Sequence, residues 1–337
     1  FTPDFLFSNR PKSTIHYFMC FPIFILLLQT IIVCPIQAHC PSHEDCPRSK
    51  RDTRQGNVTS TSERDFGGQC KKTLTHLRKM RIEAVEEGTP ELNHRMVFQS
   101  ARGPISPLHD IPLYSNFDTK IFNMVVENPS HADDKMEIHL EEAMNPISKG
   151  IRKGEYVWNY GSLPQTWEDP VEIVPPNGIA CPPPLVVAHP LDVLDIGTES
   201  SERGAIMQVK ILGAIGMFTG LRNDWKILAI NVSDSWAPLL NDINDIIKYY
   251  PEGTLKYACQ FFRFWNSQCQ EKTIAEPRKR KKALEIIEES NKRWIQLMQG
   301  KLKAPGVSLL NTCVEGSKDK ISFKEAQEVI DNERRMG

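Results

Sequence analysis

Residues 190–197 read PLDVLDIG, in which Leu191, Val193, Leu194 and Ile196 make a buried strand that carries Asp192 and Asp195 among its apolar neighbours. A carboxylate on such a strand is costly unless it is paired or binds a cation. One aspartate alone reads as a strand-end turn cap. What favours a metal is company, because further acidic, basic and tyrosine positions lie on short strands before and after it.

Working outward, residues 96–98, 121–127, 136–140, 156–160, 206–218 and 225–231 also read as strands, separated by Pro, Gly, Asn and Asp. Many short strands with turn signals point to a barrel or sandwich. Residues 242–250, 255–264 and 281–298 read as helices. In the last of these, Leu284, Ile287, Trp294 and Met298 recur at helical spacing as a core-facing stripe. The expected class is α+β, a β-barrel followed by packing helices.

The chain has 337 residues, 40% hydrophobic and 25% charged, which is ordinary for a globular protein. A formal net charge of -1 gives no general push toward nucleic acid or membrane surfaces. The apolar run at 18–33 suits a signal or anchor, so residues 1–40 read as an apolar leader. Residues 41–90 read as a basic flexible linker, with ten Lys or Arg against three Asp or Glu over 48–81. The nine cysteines include no CxxC pair, which argues against a zinc ribbon or a thioredoxin-like site. Cys40, His43 and Cys46 could ligate zinc, but no second cluster completes the set, and ordinary linker thiols are the expectation. The basic run PRKRKK at 277–282 reads as a solvated loop before an amphipathic helix.

Six runs then carry a resemblance: ISPLHDIPLY at 105–114, IFNMVVE at 121–127, NYGSLPQTWEDP at 159–170, PLDVLDIG at 190–197, DWKILAIN at 224–231 and NDIND at 241–245. In that order, within 91–311, the chain resembles the soluble inorganic pyrophosphatases of the eukaryotic type. The resemblance implies a five-stranded barrel of the OB type with helices packed outside. It also implies magnesium-dependent hydrolysis of pyrophosphate to two phosphates, and a homodimer or pairing with a paralogue. Residues 312–337 remain as a C-terminal tail. Cytoplasm or mitochondrion is the compartment implied by the family, whereas the apolar run would direct the chain to a membrane or a secretory route. An oligonucleotide-binding role lacks the interleaved aromatic and basic residues it needs.

The chemistry explains the residue types. Pyrophosphate is a dense anion that water attacks slowly unless its charge is neutralised. Carboxylates hold magnesium, which prefers oxygen ligands. Lysine, arginine and tyrosine then hold the phosphates in line, so positioning and electrostatics supply most of the rate. By the resemblance, Glu127 matches an active-site glutamate, Lys135 a phosphate-binding lysine and Glu137 an outer metal glutamate. Tyr156 and Tyr160 match the tyrosines of YxxNYG, and Tyr160 should reach a phosphate. Asp192 matches a bridging metal ligand, Asp224 another ligand, and Lys226 a lysine that binds phosphate.

The departures from the family pattern are as informative. Val187 and His189 replace two aspartates of the D-x-D-P-x-x-D signature; neutral imidazole accepts a proton but is a poor magnesium ligand. Thr219 replaces a third aspartate, and Trp265 and Asn266 replace a Tyr-Lys phosphate pair. Family residues are missing between Gly154 and Glu155, and with them a phosphate-binding arginine. One lost transition-state donor costs on the order of a hundredfold in rate. The expectation is therefore a weak pyrophosphatase, the alternative a catalytically inactive scaffold or partner subunit.

Overall fold

Strand β5 (Ile121–Asn128) is buried along almost its whole length because it is paired on both edges and covered on both faces. The structure, a computed structural model, describes residues 82–89, 92–153, 156–168, 189–219, 222–265 and 274–336. Around β5 lie β4 (Tyr114–Asn116), β8 (Asn159–Ser162), β9 (Asp192–Asp195), β10 (Ile206–Thr219), β11 (Arg222–Asn231) and β12 (Ile274–Lys279). They form a seven-stranded sheet in the order β12-β10-β11-β9-β8-β5-β4, with β10 also paired to β5. The pairings from β5 through β8, β9, β11 and β10 therefore return to β5.

A second sheet of five strands runs β1 (Ile82–Thr89), β2 (Leu92–Ser100), β7 (Ile147–Lys153) and β6 (Asp134–Ile138), with β3 (Gly103–Ile105) paired to β2. Helices α1 (Ile243–Tyr249), α2 (Thr254–Trp265), α3 (Arg280–Met298) and α4 (Phe323–Met336) complete the described elements of this mixed α/β chain. Among the described residues no helix is long and apolar enough to cross a membrane.

The helices form where the pattern demanded. Asp242 caps α1 by accepting from Asn244 N, and Asp245 reaches back to the Asp242 amide, a reciprocal capping box. On α3 the stripe of Ile287, Trp294 and Met298 is buried. Ala283, Ile286 and Ile287 pack into one core with Val126, Val193, Ile211 and Ile227. Each of these isoleucine and valine side chains contributes roughly 1.5–3 kcal/mol relative to exposure.

Some elements fall outside the expected ones. The strand expected from Tyr156 begins only at Asn159. Tyr156 is held instead by a loop, its N–H bonded to Ala132 O and its carbonyl to His131 N. The basic run at 277–282 is the end of β12 and the start of α3, not a solvated loop, because Arg280 donates from Nε to Ile211 O and from its amide to Asp242. Ordered elements also lie on both sides of 91–311: Ile82 and Ala84 of β1 and Phe323 of α4 pack against one core that includes Phe98 and Ile105, and Ala326 and Ile330 of α4 are buried beside Val97 and Met144. Residues 18–33, the 48–81 segment, Cys40, His43 and Cys46 lie outside the described residues.

Two buried polar groups tie the C-terminal part to the start of the fold. Asp110 accepts from Ser106 N, Thr312 N, Thr312 Oγ1 and Cys313 N at 2.7–3.1 Å. Burial still pushes its carboxyl up, against those bonds. Beside it, fully buried His109 accepts from Trp294 Nε1 on Nδ1 (3.0 Å), and its Nε2–H donates to Ser308 O (3.1 Å). Both ring nitrogens are thus satisfied by a neutral imidazole, and burial lowers its pKa to about 4.

With a folded-state pKa below the unfolded value, a proton binds the unfolded chain first. The stability due to His109 is therefore complete above about pH 6.5 and lost as pH falls toward 4. At pH 5 that loss amounts to roughly 2 kcal/mol. Urea denaturation of the parent and His109→Gln at pH 7 and pH 5 should show a shallower pH slope in the variant; equal slopes would contradict the assignment. A second test concerns β8. A Cβ on Gly161 would lie 1.9 Å from Val125 O, so the glycine is what lets β8 approach β5. Gly161→Ala should destabilise by at least about 3 kcal/mol, the upper end for overpacking, seen as a lowered thermal midpoint.

Candidate functional site

Parallel pairing of β9 with β11 sets Asp192 opposite Lys226. Asp224 precedes Lys226 by two residues, so both side chains leave β11 on the same face. The Lys226 ammonium bonds Asp192 Oδ2 and lies 2.7 Å from Asp224 Oδ1. Lys226 is only 7% exposed. Burial would pull its pKa down, but the Asp192 and Asp224 carboxylates hold it well above the usual lysine value. Burial pushes Asp192 up in turn, and Lys226 and His189 overcome that and hold it below the usual carboxylate range.

Asp195 lies three residues on and so faces the other way. It accepts from Asn159 Nδ2 (3.0 Å), Gly197 N (3.1 Å) and Asn231 N (2.8 Å). Of the two aspartates on this strand, one is consumed by structure and one is turned to the cluster.

Antiparallel pairing of β8 with β9 brings Ser162 opposite Asp192 and Tyr160 opposite Leu194. The Tyr160 hydroxyl donates to Asp192, and burial and the Asp192 charge raise its pKa well above the phenol value. The ring of buried Tyr156 lies 5.6 Å from that of Tyr160, tilted by 47°. Glu127, near the end of β5, is buried, and burial followed by the Asp192 charge pushes it to about 8. Lys135 and Glu137 leave β6 on one face and pair with each other, and both charges reach Glu127.

His189 stands at the edge of this cluster. It forms an isolated antiparallel bridge with Glu168, whose N–H donates to His189 O at 2.9 Å. Its Nδ1 donates to Pro190 O at 2.7 Å, the only role a carbonyl partner permits. Its Nε2 lies 3.8 Å from Glu168 Oε2 and 4.0 Å from Asp224 Oδ1. Burial would lower the imidazole pKa, but Asp192 and Glu168 raise it instead. Burial pushes the Glu168 carboxyl up.

The structure thus brings together Glu127, Lys135, Glu137, Tyr156, Tyr160, His189, Asp192, Asp224 and Lys226. Thr219 and Trp265 end β10 and α2, but their side chains lie outside the described residues, as do Val187 and Asn266 altogether. Two residues went unnoticed in the sequence. Glu168 sits inside the NYGSLPQTWEDP run, and the signal was a carboxylate directly after a buried tryptophan, Trp167. Arg203 donates from Nε to Glu127 O at 2.9 Å and pairs with Asp134, so it positions β5 from a loop that carries no motif.

The oxygen-rich part of this set suits a small hard cation. Asp192 and Asp224 already share one positive charge, and Glu127 and Glu137 stand close by.

A family model for inorganic pyrophosphatase matches residues 124–295. The chain is similar to the inorganic pyrophosphatase of Zygosaccharomyces bailii, 38% identical over 239 residues that make up 66% of this chain and 81% of that one. It is likewise similar to the inorganic pyrophosphatase of Neurospora crassa, 34% identical over 267 residues, 72% of this chain and 87% of that one. Among solved structures it is similar to the inorganic pyrophosphatase from Schistosoma japonicum, with 30% identity and a TM-score of 0.62 over 71% of this chain and 90% of that one.

The Lys226 ammonium is the counter-charge for two partly buried carboxylates, so removing it should cost more than a surface ion pair. Lys226→Met is expected to lower stability by about 2 kcal/mol, below the full range for deeply buried pairs because Asp224 is partly solvated. Urea denaturation in the presence of a chelator reads this directly. An unchanged midpoint would mean the three groups are not mutually dependent.

Proposed function

This chain belongs to the inorganic pyrophosphatase family, and on that premise we propose that it hydrolyses inorganic pyrophosphate to two phosphates, slowly, with magnesium. The observation that carries the reading is the convergence of Asp192, Asp224 and Lys226, from two parallel-paired strands, beside Tyr160. We read the five strands β5, β8, β9, β11 and β10, whose pairings return to their start, as the OB-type barrel implied by the family resemblance. The cluster would then lie at one mouth of it.

Asp192 and Asp224 would hold the magnesium ion, with Glu137 in its outer shell. Magnesium, when bound, supplies the positive charge that the phosphate oxygens need on the way to the transition state. The protein groups do the rest. Lys226, whose ammonium lies between Asp192 and Asp224, would be the cation that binds a phosphate oxygen. Lys135 exchanges Glu137 for the second phosphate. Tyr160 donates a hydrogen bond from a hydroxyl that stays protonated at any physiological pH. As water adds to one phosphorus and the bridging P–O bond breaks, one proton must leave the water and one must reach the departing phosphate. Glu127, pushed to about 8 and able to exchange a proton near neutrality, is the carboxyl we assign to pass that proton from the first to the second.

Slowness follows from the departures in the ligand set. His189 supports it directly: an imidazole stands at the edge of the cluster where the family pattern has an aspartate, and its Nε2 is a weak partner for magnesium. Val187 and Thr219 remove two further carboxylates by composition alone.

Phosphate release from pyrophosphate with magnesium tests the reading. The parent should turn over measurably, and Asp192→Asn should reduce the rate by at least about a hundredfold. A variant with Val187→Asp, His189→Asp and Thr219→Asp should exceed the parent. Parent activity indistinguishable from Asp192→Asn, with no gain in the triple variant, would defeat the hydrolytic assignment.

A further inference from the structure

We propose that His189, Glu168 and Asp224 form a mixed nitrogen and oxygen site for a borderline divalent transition ion of the zinc or cobalt kind. The inference rests on reading this mouth of the fold as a metal centre, and it names the class of metal that the centre has come to accept. One ligand atom from each residue, His189 Nε2 and a carboxylate oxygen of Glu168 and of Asp224, lies within 4.8 Å of the others. Donors bound at about 2.0–2.1 Å around a tetrahedral ion sit roughly 3.4 Å apart. The His189 separations of 3.8 and 4.0 Å therefore need only small side-chain rotations to close on one ion. As direct hydrogen bonds, the same separations are too long.

The orientation of the ring is the independent observation. Nδ1–H is tied to Pro190 O at 2.7 Å, which in the neutral imidazole leaves the lone pair on Nε2, the atom that faces both carboxylates. A ring nitrogen anchored to a backbone carbonyl is how ligating histidines are usually held in tautomer and direction. The backbone bridge from Glu168 N to His189 O locks these two ligands in register, and β11 supplies the third from across the cluster. His189 has 35% and Asp224 31% of its side chain open to solvent, so a fourth position faces outward for water or a phosphate oxygen. Imidazole nitrogen with two carboxylates favours zinc, cobalt or related ions over magnesium.

Lys226 is the competing cation. Its ammonium lies 2.7 Å from the same Asp224 oxygen, so a bound ion must displace it fully toward Asp192. The rival arrangement is a protonated His189 lying between two carboxylates with no ion at all.

Cobalt titration of the metal-stripped full chain separates the two. A visible d–d band is expected without the thiolate charge-transfer absorption that binding at Cys40 and Cys46 would add. In His189→Ala and in Glu168→Gln the dissociation constant for Co2+ should rise by at least about tenfold, with far-UV circular dichroism unchanged and magnesium binding altered little. His189→Asp should lose the cobalt preference and bind magnesium more tightly, which guards against simple misfolding of the alanine variant. In a histidine-selective 1H–15N spectrum, Co2+ should broaden the His189 Nε2 resonance first. Equal Co2+ affinity and spectra in the parent and both single variants would overturn the proposal. Because every readout is equilibrium binding, a chain that binds cobalt through His189 yet releases no phosphate would uphold this site and refute the hydrolytic reading alone.

Discussion

The site depends on one lysine ammonium shared by two carboxylates. Lys226 could not be this buried without Asp192 and Asp224, nor they so close to each other without it. Neither the triad nor its geometry is local in sequence. It exists because β9 and β11 pair in parallel with Asp192 opposite Lys226, and because a strand repeats every two residues, so that Asp224 joins them. A one-residue slip between β9 and β11 would break it, and the apolar cores on both sides forbid that slip. Val193 and Ile227 fill one core while Leu194 and Leu228 fill the other.

Electrostatics and packing therefore meet on the same strands. Asp195 spends its oxygens on Asn159, Gly197 and Asn231 and anchors β9 to its neighbours. Asp192, on the other face, is left for the cluster. A burial environment severe enough to push Glu127 to about 8 and to hold Tyr160 protonated is also one in which each added or removed charge is felt by all the others. Such a setting suits an anionic substrate that needs several cations at once. It also makes an imidazole at position 189 consequential, since His189 Nε2 faces Glu168 and Asp224 without bringing a negative charge of its own.

Much of this was legible in the sequence where a short pattern had one physical solution. The strand at 190–197, the long strands β10 and β11 and the stripe on α3 each follow from periodicity, whereas the Asp242 capping box at the start of α1 was not read from the sequence. The resemblance supplied the assembly, because nothing in the residues alone says that Glu127, Lys135 and Asp192 meet. What stayed hidden was held by tertiary contacts. β1 pairs only because β2 is there to receive it, α4 buries just Ala326 and Ile330 among its described side chains, and the basic run becomes strand and helix because Ile211 and Asp242 take its donors. Glu168 was invisible for the same reason. Its meaning comes from a backbone bridge to a residue 21 positions away.

The clasp on Asp110 has a consequence for the order of events during synthesis. Its carboxylate is fully enclosed in the finished protein, and three of the bonds that make this tolerable come from Thr312 and Cys313. Until those two residues have left the ribosome, Asp110, in the turn between β3 and β4, has only Ser106 N among these donors. Closure of the hydrophobic interior around Asp110 is thus a late, whole-chain event, and a protein cut short before residue 313 would be left with an open seam rather than merely a shorter end.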